Sequence, residues 1–119
     1  MPRVAAKRQQ QREHDARRGS ARERGYDARW EKARARHLAE HPLCVCCLAH
    51  GVTTAAHVLD HIVPHKGNSD LFWDQANWQG LCEWCDKNLK RSIENRWLAQ
   101  GGGVAELRLD RIVPGYRAG

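Results

Sequence analysis

The sequence lacks any long hydrophobic run. No segment approaches the roughly 18 consecutive apolar residues that a membrane-spanning helix needs, which excludes an integral membrane protein. The first twenty residues are basic and polar without the apolar stretch of a secretory signal, so we expect a cytoplasmic protein with reduced cysteines. A chain of 119 residues with one Phe and 41% hydrophobic residues forms one small core. Such a core benefits from a bound metal as a staple.

The positive charge is concentrated in the first third of the chain. Residues 1–41 hold 12 of the 20 Lys and Arg residues and 6 of the 14 acids, whereas residues 42–119 are balanced. A basic arm of this kind can bind a polyanion such as nucleic acid, because neutralising the phosphates releases their counterions. The alternative is a charged helix that is only solvated, since it has the same composition. We interpret residues 1–25 as a basic N-terminal arm, either flexible or a helix that forms on DNA, residues 26–100 as the folded domain with the cysteine pairs, and residues 101–119 as a C-terminal tail.

Two Cys-x-x-Cys pairs are the most specific pattern in the chain. Together they supply the four thiolates of a tetrahedral structural Zn²⁺ site, formed by Cys44, Cys47, Cys82 and Cys85. The 34 residues between the pairs exceed the spacing of a compact zinc finger, so they must carry structure of their own. Cys46 could replace a ligand of the first pair, but the repeated spacing favours a free structural thiol. A reducing compartment disfavours disulfides.

Periodicity and chain breakers predict a small α+β domain with an N-terminal helix. The predicted elements are a helix from an Asp27 N-cap to about Glu40, strands over 55–63 and 77–81, and a helix over 83–98 that Gly101-Gly102-Gly103 ends. Residues 65–76 form a long loop, in which Leu71, Phe72 and Trp73 make a small satellite core. The tail either adds an edge strand or covers the core. The order of strand, loop, strand and helix around a metal is that of a ββα-metal fold.

Several separate motifs, in a fixed order, carry a family resemblance. They are Tyr26-Asp27-x-x-Trp30, His41-Pro42-Leu43-Cys44, Asp60-His61-Ile62-Val63-Pro64-His65, Leu71-Phe72-Trp73-Asp74, Asn77-Trp78-Gln79 and Leu81-Cys82-x-x-Cys85. Over about residues 26–98 the chain resembles the HNH endonucleases of the phage and prophage subgroup. The resemblance implies that residues 26–100 form a His-Me finger nuclease domain with a four-cysteine zinc site, acting on DNA in a bacterial or phage-infected cell. That subgroup is often associated with phage packaging proteins.

The resemblance also implies roles for individual residues. His61 is the general base that activates a water, a role that suits a neutral imidazole. Asp60 is a ligand of a catalytic Mg²⁺ or Mn²⁺, and Asn77 ties the loop and orients His61, although it could be an ordinary turn residue. The family usually has His after the last Cys of the second pair, where this chain has Asp86. That carboxylate is either a second hard ligand or a helix-start residue favoured by the helix dipole.

Five further basic side chains are candidates for DNA contacts, with a solvated or structural role as the alternative. They are His57, His65, Lys66, Lys90 and Arg91. The predicted function is that of a divalent-metal-dependent DNA endonuclease, nicking or double-strand, with a His base and one catalytic metal. The alternative is a catalytically inactive zinc-ribbon module that binds nucleic acid, or an accessory protein of a packaging machine.

Overall fold

The computed structural model describes residues 27–118, and the chain divides into two compact units, Met1–Lys32 and Ala33–Gly119. The predicted basic arm and Tyr26 lie outside the described residues. Helix α1 (Ala28–Glu40) starts in the described part of the first unit. Asp27 Oδ1 accepts a hydrogen bond from Trp30 N (3.1 Å), so the predicted N-cap is confirmed.

The second unit is a small α+β domain built on a two-stranded antiparallel sheet. A short helix, α2 (Val45–Ala49), follows the first cysteine of the first pair and precedes the sheet. Strand β1 (Val58–His61) pairs with β2 (Trp78–Leu81). The first strand is shorter than predicted at both ends. At its start, Ala55 forms an isolated bridge with Leu43 instead of joining β1. At its end, Ile62 N still donates to Asn77 O (2.7 Å), but Val63 N donates to the Asn77 side chain (2.9 Å) and not to a strand backbone.

The predicted loop between the strands contains structure of its own. Helix α3 (Ser69–Trp73) is capped by Asn68, whose Oδ1 accepts from Asp70 N (2.9 Å) and Leu71 N (3.1 Å). A 3-10 turn, Gln75–Asn77, leads into β2. Phe72 is buried, as the predicted satellite core requires.

The helix after the second cysteine pair begins at Glu83, as predicted. It contains a π-helical segment, Cys85–Lys90, before it continues as α4 (Arg91–Gln100). It ends at Gly101, which has a φ of 77° and donates its N–H to Trp97 O (2.7 Å). A left-handed conformation of this kind favours glycine, so the predicted helix end is confirmed.

The C-terminal tail covers the core, which is the second of the two predicted alternatives. Its regular structure is one 3-10 turn, Val104–Leu107. Leu107, Leu109 and Val113 are buried in the same cluster as the cysteines, so the tail belongs to the fold. Within residues 27–118, every helix is too short or too polar to cross a membrane.

Candidate functional site

Four buried cysteine side chains converge at one point of the domain. In each pair the first sulfur accepts a hydrogen bond from the backbone N–H of the second cysteine: Cys44 Sγ from Cys47 N (3.4 Å) and Cys82 Sγ from Cys85 N (3.4 Å). All four sulfurs lie within 4.8 Å of one another. In the described part of the chain, this is the only group of three or more His, Cys, Asp or Glu side chains close enough to hold an ion. The cluster could hold a metal ion such as zinc.

The fifth cysteine lies outside this cluster. Cys46 is fully buried in the core, and burial raises the pKa of its thiol to about 11, so it packs as a small protonated hydrophobe. Burial also raises the pKa of Cys44 and Cys85, whereas the pKa of Cys47 is lowered, because its burial is outweighed by hydrogen bonds from neighbouring side chains. Four thiolates this close together repel one another, and a bound metal ion supplies the positive charge that offsets the repulsion.

His50, for which the sequence offers no partner pattern, joins the tail to the first cysteine pair. Its Nδ1 donates to Cys46 O (2.7 Å), and its Nε2 accepts from Val113 N (3.0 Å). The ring stacks on Tyr116 with the centroids 3.8 Å apart. Because a carbonyl only accepts and an amide N–H only donates, these bonds fix one neutral tautomer. The signal in the sequence is no more than one His near a cysteine pair.

His61 stands at the end of β1 in a defined tautomer. Its Nε2 lies 3.0 Å from Phe72 O, and a carbonyl only accepts, so Nε2 carries the proton and Nδ1 is the lone-pair nitrogen of the neutral ring. Burial lowers the pKa of His61, partly opposed by the Phe72 bond, and the charges of His65 and Lys90 lower it further. The imidazole is therefore neutral at pH 7, the form that can accept a proton.

Asn77 holds the backbone of the segment that follows His61 through side-chain hydrogen bonds. The Asn77 side chain accepts from Val63 N (2.9 Å) and donates to Val63 O (3.0 Å) and to Leu71 O (3.1 Å). Its side chain is buried, and each of its polar atoms is used. Asn77 thus joins the start of the loop to α3, whose Phe72 carbonyl holds the His61 ring.

Asp60 lies beside His61 in a buried polar network that the sequence analysis missed. Its Oδ2 accepts from Gln79 Nε2 (2.9 Å), the residue opposite it on β2, and from Lys90 Nζ (2.9 Å). Lys90 Nζ also lies 2.8 Å from Glu94 Oε1. Burial raises the pKa of Asp60, and the Lys90 ammonium and the Gln79 amide oppose that rise. Gln79 was within reach of sequence reasoning, because pairing the two predicted strands sets it near Asp60.

Asp86 lies half-buried on the π-helical segment. Burial raises the pKa of its carboxyl group, and the charges of Lys90 and Arg91 oppose the rise. The Asp86 charge also raises the pKa of Asp60, so the two carboxylates interact. The described residues bring no third potential ligand to this pair. Carboxylate oxygens are the protein ligands that Mg²⁺ prefers, usually one or two of them with water and phosphate in the remaining positions.

The predicted DNA contacts differ in their exposure. His57, Lys66 and Arg91 are exposed, and His65 is half-buried with its ring 5.0 Å from that of His61. The structure corrects the prediction for Lys90, which is 2% exposed. Its ammonium points into the domain toward Asp60, so it does not reach an external phosphate.

A scan against protein-family models and searches of curated proteins and of solved structures found no match for this chain. The resemblance to the HNH endonucleases therefore rests on the motifs of the sequence. Any function has to be inferred from the residues of the two sites.

Proposed function

We propose that the chain is a divalent-metal-dependent DNA endonuclease of the HNH type, with a ββα-metal fold stapled by one structural zinc. One observation carries the proposal: a neutral, oriented imidazole, His61, directly follows a largely buried carboxylate, Asp60, in the sequence at the end of one strand. Three buried polar side chains, Asn77, Gln79 and Lys90, support that pair. A module that only binds nucleic acid has no need of this arrangement.

Zinc is the metal that best fits the cysteine cluster. A tetrahedral site with Zn–S bonds of about 2.3 Å has sulfurs about 3.8 Å apart. Cys47 Sγ lies 3.8 Å from Cys82 Sγ and 3.8 Å from Cys85 Sγ. Four thiolates leave no open coordination position, which is the mark of a structural site.

The proposed chemistry is hydrolysis of a phosphodiester bond. Nδ1 of His61 removes a proton from the attacking water, while the Phe72 carbonyl holds the opposite edge of the ring. Asn77 keeps the His61 loop in place for that transfer. Asp60 and Asp86 are the residues that would hold Mg²⁺ or Mn²⁺, which when bound stabilises the negative charge that develops on the phosphate.

DNA is the proposed partner. The net charge of +6 belongs to residues 1–41, and the exposed His57, Lys66 and Arg91 add positive or proton-donating groups to the domain. His65 lies beside the proposed base, with its ring 5.0 Å from that of His61, and is a further proposed phosphate contact. We place the protein in the cytoplasm of a bacterial or phage-infected cell, where phage packaging proteins are possible further partners.

Cleavage of supercoiled plasmid tests the proposal. The wild-type protein should cut in Mg²⁺ or Mn²⁺ and stop when the divalent ion is removed. His61→Gln should reduce the rate by about 10²–10⁴, the usual contribution of a positioned base. Glutamine can still donate to Phe72 O, which Trp78 Nε1 also contacts (2.8 Å), so the fold should survive. The zinc content and the DNA affinity of the variant should equal those of the wild type.

A control and the alternative complete the test. His41→Gln changes an exposed histidine that has no role in the proposed site and should cut at nearly the wild-type rate. If His61→Gln cuts as fast as the wild type, His61 is not the base and the mechanism fails. If the wild-type protein binds DNA but never cuts it, the chain is the inactive zinc-ribbon module.

A further inference from the structure

The buried ammonium of Lys90 has all of its hydrogen-bonding capacity in use. Lys90 Nζ lies 2.9 Å from Asp60 Oδ2, 2.8 Å from Glu94 Oε1 and 3.0 Å from the backbone carbonyl oxygen of His61. A lysine has three N–H donors, so its position is fully determined. The same group thus contacts both residues of the proposed catalytic pair, although it faces away from solvent.

The π-helical segment explains why a lysine faces inward here. In an α-helix, Lys90 would lie about 140° around the axis from Cys85, five residues earlier. In a π-helix the hydrogen bonds join residues five apart, as Arg91 N to Asp86 O does here. Lys90 therefore lies closer to the side of the helix that carries the buried Cys85. A π turn carries one more residue than an α turn, and that residue turns Lys90 inward.

Lys90 affects Asp60 in two ways. It supplies the positive charge next to a carboxylate that is 14% exposed, and it occupies Oδ2 together with Gln79. Both recorded contacts of the Asp60 carboxylate in the described structure go to this oxygen, which leaves Oδ1 for a ligand. A cation held by Asp60 has the Lys90 ammonium as a neighbour, and like charges repel even in a well-screened site.

We propose that Lys90 is a positioning residue that orients Asp60 and competes with the divalent cation for its negative charge. The inference rests on the proposed function for the identity of that cation. Asp60, Glu94 and Lys90 together carry one negative charge, and removal of the ammonium leaves two. Lys90 thereby lowers the affinity of the site for a cation, and in return it holds the Asp60 carboxylate in one orientation. If Lys90 had a merely structural role, its removal would damage the site and weaken binding of the cation.

Binding of Mn²⁺ to the zinc-loaded protein, followed by the EPR signal of free Mn²⁺ without DNA, tests the inference. Mn²⁺ is a weak competitor for thiolate sites and leaves the zinc in place. Lys90→Met should bind Mn²⁺ about tenfold more tightly than the wild type, the scale expected for one unit charge at close range in a water-like medium. Plasmid cleavage by the same variant should be slower at saturating Mn²⁺, because Asp60 loses its orientation.

Lys87→Met is the matched control. It removes the same charge from the same helical segment, but Lys87 is exposed and contacts only Glu83 at 2.6 Å among the recorded ion pairs. Its Mn²⁺ affinity should stay near that of the wild type. Equal or weaker binding by Lys90→Met would overturn the inference, and so would an equal gain in both variants.

Two further results keep the inference separate from the proposed function. If Lys90→Met does not fold, Glu94→Gln serves as the second variant. It removes the negative charge that partly neutralises Lys90, so Mn²⁺ binding should weaken about tenfold. Wild-type Mn²⁺ affinity in Glu94→Gln would overturn the inference. A wild-type protein that cuts plasmid while Lys90→Met shows unchanged Mn²⁺ affinity refutes only the role of Lys90. Tighter Mn²⁺ binding by Lys90→Met in a protein that never cuts DNA refutes only the nuclease.

Discussion

Replacement of Asn77 by alanine should destabilise the domain by more than its modest size suggests. The change removes three side-chain hydrogen bonds and leaves Val63 N, Val63 O and Leu71 O without this partner. Each buried hydrogen bond contributes about 0.5–1.5 kcal/mol, so we expect a loss of about 2–4 kcal/mol. For a small domain this is a large part of the free energy of unfolding.

The assay is urea unfolding of the zinc-loaded protein, followed by tryptophan fluorescence. Asn68→Ala is the matched control, because Asn68 is exposed in the same loop and only caps α3. Loss of such a cap costs about 1 kcal/mol. Asn77→Asp adds a second comparison. It keeps an acceptor for Val63 N but turns a carboxylate oxygen toward two carbonyls, so it should be at least as destabilising as alanine.

A free-energy loss for Asn77→Ala no greater than that for Asn68→Ala would refute the reasoning. It would mean that water or a backbone shift replaces the three bonds, and that Asn77 is an ordinary turn residue. The functional consequence is separate. In the folded fraction, Asn77→Ala should also slow plasmid cleavage, since the freed loop carries the Phe72 carbonyl that orients His61.

Three shorter predictions concern the metal and the arm. A strong chelator should unfold the domain cooperatively and release about one zinc per chain, as determined by metal analysis. The reason is that the free energy of zinc binding contributes directly to the stability of the folded domain. Cys47→Ala should abolish zinc binding, whereas Cys46→Ala should retain it and cost only ~1 kcal/mol of stability in urea unfolding. Deletion of residues 1–25 should reduce the dependence of DNA affinity on salt while zinc content stays constant; an unchanged salt slope would show that the arm does not contact DNA.

The elements of the fold follow well from local signals in the sequence. Asp27 and Gly101 mark the ends of helices through physical preferences that operate within one turn, and the structure has them where they are expected. The cysteine pairs likewise have a fixed local geometry, so the four sulfurs converge as the spacing predicts. The length of β1 was overestimated because distant partners set both of its ends: Ala55 pairs with Leu43, and Val63 N donates to the Asn77 side chain 14 residues away.

The support of the candidate site could not be predicted in the same way. The sequence motifs indicate Asp60 and His61, but not the groups that hold them. On an α-helical projection Lys90 lies about 140° from Cys85, and the π-helical segment brings it closer to the side of that buried residue. A π turn has no strong signature in the composition of Cys85–Lys90.

The C-terminal tail helps to position a residue of the candidate site, Gln79. The side chain of Gln79 donates to Leu107 O (3.0 Å) as well as to Asp60, and its Oε1 accepts from Leu109 N (2.9 Å). Leu107 and Leu109 are themselves fully buried, so the tail fixes the amide that holds the Asp60 carboxylate. Residues 101–118 therefore belong to the folded domain and are not an appendage beyond residue 100. These contacts of Gln79 are to backbone atoms, so they require no particular side chain at Leu107 or Leu109 and leave no motif in the sequence.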